Sequence, residues 1–146
     1  MNMTELPFNK FLRIQKANEC TDSLLQLGDS ADYLNHLGTV HAAAQMALAE
    51  ASAGEYLLQQ IPELGRDFLV VVRRFEAKFR NPLKGKIFSR AKMPLEQVEN
   101  THQQLQLKSR LFIHVEVEIM DTQGITGLVA KVEFFAQKQD TPHGSS

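Results

Sequence analysis

The 146-residue chain has one cysteine, no tryptophan, no long apolar run and almost no net charge. A lone Cys20 excludes an internal disulfide framework and any zinc site built from several thiolates, and its expected role is packing. The longest apolar stretch, Phe68-Leu69-Val70-Val71-Val72, falls far short of the roughly 18–20 residues of a membrane-spanning helix. The opening MNMTELPFNK has neither a basic n-region nor an apolar h-region, so the expectation is a cytoplasmic protein with no membrane partner. Sixteen Lys and Arg against seventeen Asp and Glu leave −1, which excludes a general attraction to nucleic acid and requires any charged ligand to be met locally. What is present is ordinary globular composition, 43% hydrophobic and 23% charged, at the usual size of one domain. The expected organisation is a single domain over residues 1–139 followed by a polar, flexible tail at 140–146.

Thr4, Glu5 and the helical spacing of Phe8, Phe11, Leu12 and Ile14 predict an amphipathic N-terminal helix over about residues 4–17, with Pro7 in its first turn. Leu24 to Leu27 read as a short strand ending at the Gly28-Asp29-Ser30 turn. From about 41 to 60 there is no proline, and seven of the twelve residues from Ala42 to Ala53 are alanine, which predicts a long helix stopped by Pro62. Beyond it the period changes. Phe68 to Phe79, Gly85 to Met93, Ser109 to Asp121 and Ile125 to Gln137 are rich in Val, Ile and Phe and are separated by turn residues, which predicts four strands. Ile113, Val115, Val117 and Ile119 alternate with His114, Glu116 and Glu118, and Ala130, Val132, Phe134 and Ala136 alternate in the last strand, so each has one apolar face. Pro94 to Lys108 reads as a loop or short helix. One long helix followed by strands, without βαβ alternation, is an α+β class with the helix lying across an antiparallel sheet.

On a helical wheel Gln45, Ser52, Glu55, Gln59 and Gln60 form one polar stripe, expected to face solvent. Glu50 falls on the other side at about 140° from Gln45, among Ala43, Met46, Ala47, Gly54 and Leu57, the side expected to pack on the sheet. A carboxylate there is either paired or working, because burying it alone costs several kcal/mol and raises its pKa. Just upstream, Asn35-His36-Leu37-Gly38-Thr39-Val40-His41 supplies a tight turn at Gly38, Thr39 as a candidate N-cap, and the positive end of the helix at His41, Ala42 and Ala43.

Asn35, Gly38, His41 and Glu50, in this order and spacing, resemble the signature of hotdog-fold acyl-CoA thioesterases of the PaaI and 4-hydroxybenzoyl-CoA type. Phe79-Arg-Asn-Pro82-Leu-Lys-Gly85 is similar to that family's turn between strands, and Val117 to Ala130 to its closing hairpin. The resemblance implies an antiparallel sheet wrapped around the central helix, subunits joined edge to edge as a dimer or dimer of dimers, and sites formed between subunits. It implies Glu50 as general base or as nucleophile, Ala42 N–H as oxyanion donor, Asn35 orienting substrate or water, and His41 holding the loop or touching the thioester. Gly38 and Ala43 would line the substrate site, and Lys84, Lys86 and Arg90 would meet the phosphates of coenzyme A. Coenzyme A enters as part of the substrate, with no cofactor and no metal.

Two residues depart from that pattern. Ala42-Ala43 replaces Gly-Gly, and Val72 stands where some relatives carry Ser or Thr. They support an alternative, a catalytically silent protein that binds acyl-CoA or a fatty acyl chain. An acyl-thioester dehydratase of the same fold is disfavoured by the absence of its His-Phe-Pro signature. Arg74, Glu76 and Lys78, on one face of their strand, read as an ion-pair ladder.

Overall fold

The computed structural model describes residues 1–17 and 22–140, so Cys20 and the 141–146 stretch of the expected tail lie outside the described residues. The expected N-terminal helix is instead broken into pieces. A 3₁₀ turn at Met3–Glu5 leads to the short helix α1 (Pro7–Phe11), and a two-residue strand β1 (Gln15–Lys16) follows. Arg13, at φ 62°, turns the chain out of the helix between them. After β2 (Leu25–Leu27) come the long helix α2 (Ala42–Gln60), the short helix α3 (Glu63–Asp67) and the long strand β3 (Phe68–Phe79). The chain ends in β4 (Ile87–Lys92), helix α4 (Leu95–Leu107), β5 (Arg110–Asp121) and β6 (Thr126–Lys138). Within Pro94 to Lys108, expected to be a loop or short helix, the chain forms a thirteen-residue helix. Its seam is Val98, Thr101 and Leu105, where a threonine with its hydroxyl on Gln97 O at 2.7 Å stands in for an apolar residue.

All pairings in the six-stranded sheet are antiparallel, in the order β1-β2-β4-β5-β6-β3. The alternation read from β5 and β6 is the one observed. Ile113, Val115, Val117 and Ile119 are buried beside Ala130, Val132, Phe134 and Ala136, while His114, Glu116 and Lys131 face out. On that outer face Glu76, Lys131, Glu116 and Lys92 lie in one register row across four strands, and Arg74 pairs with Glu76 at 2.9 Å. Of the β3 charges expected in a ladder, Glu76 belongs to this cross-strand row and Arg74 pairs with it along the strand, whereas Lys78 lies opposite Val129. Among the described residues β3 is an edge strand, paired with β6 alone and bulged between Val72 and Arg74.

Helix α2 lies on the inner face against β2, β4, β5 and β6, but it is turned the other way from the wheel reading. Gln45, Ser52 and Glu55, expected in solvent, are buried, whereas Ala43, Met46 and Glu50 are exposed within one chain. The polar residues can face the sheet because most find partners there. Ser52 Oγ donates to Leu48 O and meets Ser89 Oγ at 2.6 Å, and Ser89 Oγ accepts from Leu25 N–H at 3.1 Å. Glu55 accepts from Lys16 of β1 and from Gln59. Alanine fits either face, so the position of Ala43 and Ala47 does not define the buried side. Only the second half of the outward face is covered, at Gly54 and Leu57, both buried. None of the described helices is long and apolar enough to cross a membrane.

Candidate functional site

The loop entering α2 is built around Asn35. Its Oδ1 accepts from Leu37 N–H at 2.9 Å and Thr39 N–H at 3.1 Å, and its Nδ2 donates to Thr39 Oγ1 at 2.9 Å. Asn35 is thus committed to closing the loop, with one amide hydrogen left to offer. Gly38 sits at φ 75°, where a side chain would be strained, as the turn reading required. The N-cap is His41 rather than Thr39, whose hydroxyl Asn35 has taken. His41 Nδ1 accepts from Ala43 N–H at 2.9 Å, which places the neutral ring's proton on Nε2. Ala44 and Gln45 N–H donate to His41 O. Of the first amides of the helix, Ala42 N–H alone has no acceptor among the described residues, and it lies at an exposed position at the positive end of α2.

The turn carrying Lys84 and Lys86 is brought to the same place. Val40 N–H donates to Leu83 O at 2.8 Å, and Gly85, at φ 75°, reverses the chain there. Gly127 of β6 completes the joint, because a β-carbon there would stand 2.4 Å from Leu83 Cδ1. Lys84 is exposed, and Lys86 lies over the Phe88 ring at 5.8 Å. Arg90 is further along the outer face of β4, opposite Glu118, in a separate groove of about 460 Å³ with Lys92 and Glu116.

Glu50 stands apart from this cluster. It lies on the wall of an apolar cleft of about 490 Å³ between the outward face of α2 and β3, with Leu57, Phe68, Val70, Val72 and Phe134 among its neighbours. Among the described residues it has no hydrogen-bond or ion-pair partner, and loss of water around it pushes its pKa above the usual carboxylate value. Eight residues separate it from Ala42, about 12 Å along the axis at 1.5 Å per residue. One chain therefore presents Glu50 and the free Ala42 N–H at two places, too far apart to touch one carbonyl carbon. Met1, Met3 and Leu6, which no motif singles out, share the cleft with Glu50. A glycine at 54 on a helix otherwise rich in alanine was the available sign that another segment packs there.

A family model described as a domain of unknown function, DUF4442, matches residues 12–135. A search of the curated proteins finds no match. Among solved structures, a Pseudomonas aeruginosa protein of unknown function described as a probable thioesterase is 20% identical, with TM-score 0.78 over 94% of this chain and 91% of its own. A thioesterase from Haemophilus influenzae is 16% identical, with TM-score 0.69 over 93% and 86%. A Bacillus halodurans protein solved with CoA is 21% identical, with TM-score 0.60 over 77% and 65%. At these identities the likeness speaks for the fold, which is the α+β hotdog fold with α2 as its central helix.

Proposed function

From the premise that the chain belongs to the DUF4442 family and has the hotdog fold, we propose that it is an acyl-CoA thioesterase acting as a homodimer, with Glu50 as its catalytic carboxylate. The observation that carries this reading is Glu50 itself, an unpaired carboxylate with a raised pKa on the wall of an apolar cleft. The 12 Å along α2 supports a site shared between copies, Glu50 from one protomer and the Ala42 N–H from the other. The surfaces for such pairing are open. The outer edge of β3, twelve residues long, has no strand partner among the described residues, Leu69 and Val71 on it are about half exposed, and its first residues share a cleft with Glu50. Long free edges invite pairing.

In the reaction, ionised Glu50 takes a proton from water as the water oxygen attacks the thioester carbonyl carbon. The oxyanion is held by the Ala42 N–H at the positive end of the partner helix. Collapse breaks the C–S bond, and the leaving sulfur takes the proton held on Glu50, giving free thiol and carboxylic acid and restoring the carboxylate. In the nucleophilic variant a Glu50 oxygen attacks the carbonyl carbon and the thiolate leaves as a mixed anhydride forms, which water then hydrolyses to release the acid and free Glu50. Lys84 and Lys86, beside the Asn35–His41 loop, supply cations for the phosphates of coenzyme A, and Arg90 adds a charge farther along β4. Thiol release from a panel of acyl-CoAs tests this reading with wild type and Glu50→Gln side by side. Hydrolysis by the wild type that Glu50→Gln leaves intact overturns the assignment of Glu50.

The second reading, a silent acyl binder, is favoured by Val72, which puts an isopropyl group on the cleft wall instead of a hydroxyl able to hold water. Tight acyl-CoA binding with no hydrolysis across short, long and aromatic acyl groups selects it.

A further inference from the structure

The first residues of the chain lie over the same face of α2 that carries Glu50. Met3 covers Gly54, its Sδ 3.1 Å and its Cε 3.2 Å from where a β-carbon on that glycine would stand. Met1, Met3 and Leu6 line the Glu50 cleft. The segment is fastened at its base. Asn9 Nδ2 donates to Met3 O at 3.0 Å, binding the first turn to α1. The Tyr33 hydroxyl donates to Leu12 O, and Arg13 lies over the Tyr33 ring while reaching Asp32 at 3.0 Å. Tyr33 O in turn accepts the N–H of His41, the residue that caps α2. The N-terminal segment is thus a strap, anchored to the loop that enters the helix and tipped by methionines in the cleft.

Resting on the thioesterase reading, we propose that this strap selects the acyl group: the cleft takes an aliphatic acyl chain of several carbons, and Met3 limits its length. Among the described lining residues only Glu50 and Gln139 carry polar side chains, so a hydroxylated ring or a second carboxylate would lose its water without gaining a partner. Within one protomer the volume, about 490 Å³, lies in the range of ligand sites and exceeds what an acetyl group fills. Methionine is the side chain best able to adjust to chains of differing length, and here it meets a glycine, so its position is set by contact rather than by a bond.

The test is a straight-chain series of acyl-CoAs from acetyl to palmitoyl, with 4-hydroxybenzoyl-CoA added. Hydrolysis is measured for wild type, Met3→Ala and Met3→Trp, and calorimetric binding for Glu50→Gln with and without Met3→Ala. Affinity and kcat/KM are expected to rise about fourfold per methylene until the cleft is full, then level off. Met3→Ala removes three heavy atoms and moves that plateau toward longer chains by about two methylenes or more, and Met3→Trp moves it toward shorter ones. A merely structural Met3 would change all lengths by the same factor, and that result overturns the inference. So does a flat series, or 4-hydroxybenzoyl-CoA as the preferred ligand. Should Met3→Trp not fold, the binding series with Met3→Ala decides alone. Absent hydrolysis with a binding plateau that still responds to Met3→Ala overturns the thioesterase reading and leaves the strap's role standing.

Discussion

Helix α2 carries two glutamates five residues apart whose environments are opposite. Glu55, on the sheet side, is almost wholly buried and is paired to Lys16 and Gln59. Glu50, on the outward side, is more exposed and unpaired, and it is the one whose pKa is raised. Burial alone therefore does not single out the carboxylate proposed for catalysis. A buried group with its partners in place is part of the structure, whereas one that has lost part of its water without gaining a partner is the better candidate to meet a ligand or a second chain.

The largest effect that would break this contrast is on catalysis. Glu50→Gln is expected to lower thioester hydrolysis by about 10² or more in a thiol-release assay while the fold persists. The same substitution sharpens the contrast through pH. Because the folded-state pKa of Glu50 is raised by loss of water, its contribution to stability is full below the unfolded value and is lost as pH rises through the folded one. Glu50→Gln should thus melt no lower than wild type at neutral pH, and its advantage should vanish in acid. The wild-type rate should rise with pH along a limb displaced above pH 4.5, the ordinary value for this group. A limb at or below that value would remove the case for Glu50 as base.

For Glu55→Gln the expectation is reversed. Activity should be retained per folded molecule, and stability should fall by about 1–2 kcal/mol, less than for a fully buried pair because Lys16 keeps about half its side chain in water. Thermal melts beside the hydrolysis assay separate the two glutamates. Loss of activity in a stable Glu55→Gln protein would mean that both carboxylates serve the site.

That contrast also shows where the sequence was readable. The strands of the second half were legible because their alternation is regular and their turns carry Gly, Asn, Asp and Pro. The turn at Gly38 and the start of α2 were legible because a glycine and a run of alanines mark them, though the cap is His41 and not Thr39. The face of α2 was not, since Ser52 and Glu55 look like solvent residues until Ser89 and Lys16 arrive from elsewhere in the chain. Nor was the N-terminal strap, because the left-handed turn at Arg13 interrupts an otherwise helical pattern and is fixed by Tyr33 and Asp32, about twenty residues on. Long-range partners, invisible to local periodicity, decided both cases.

At a smaller scale Gly127→Ala probes the joint that holds the Lys84 turn to the start of α2. A methyl there would meet Leu83 at 2.4 Å and Gln45 Oε1 at 2.7 Å, so the neighbours must shift, at a cost of about 1–3 kcal/mol. A melt unchanged from wild type would show that the turn moves freely against the helix.

The smallest effect tests the helix's positive end, where both faces begin. His41 holds Ala43 N–H through Nδ1 and leaves Ala42 N–H free. Replacing it with alanine removes the cap and should cost about 1 kcal/mol, whereas asparagine, a strong N-cap, should restore that stability. If His41 serves only as the cap, His41→Asn also restores hydrolysis, because the Ala42 N–H is again presented by an intact first turn. If the imidazole touches the thioester through Nε2, His41→Asn is as stable as wild type but remains slow. Melting temperature and kcat/KM for the two variants, measured together, decide between the roles, and a His41→Ala protein as stable as wild type would show that the cap seen at Ala43 contributes nothing to the helix.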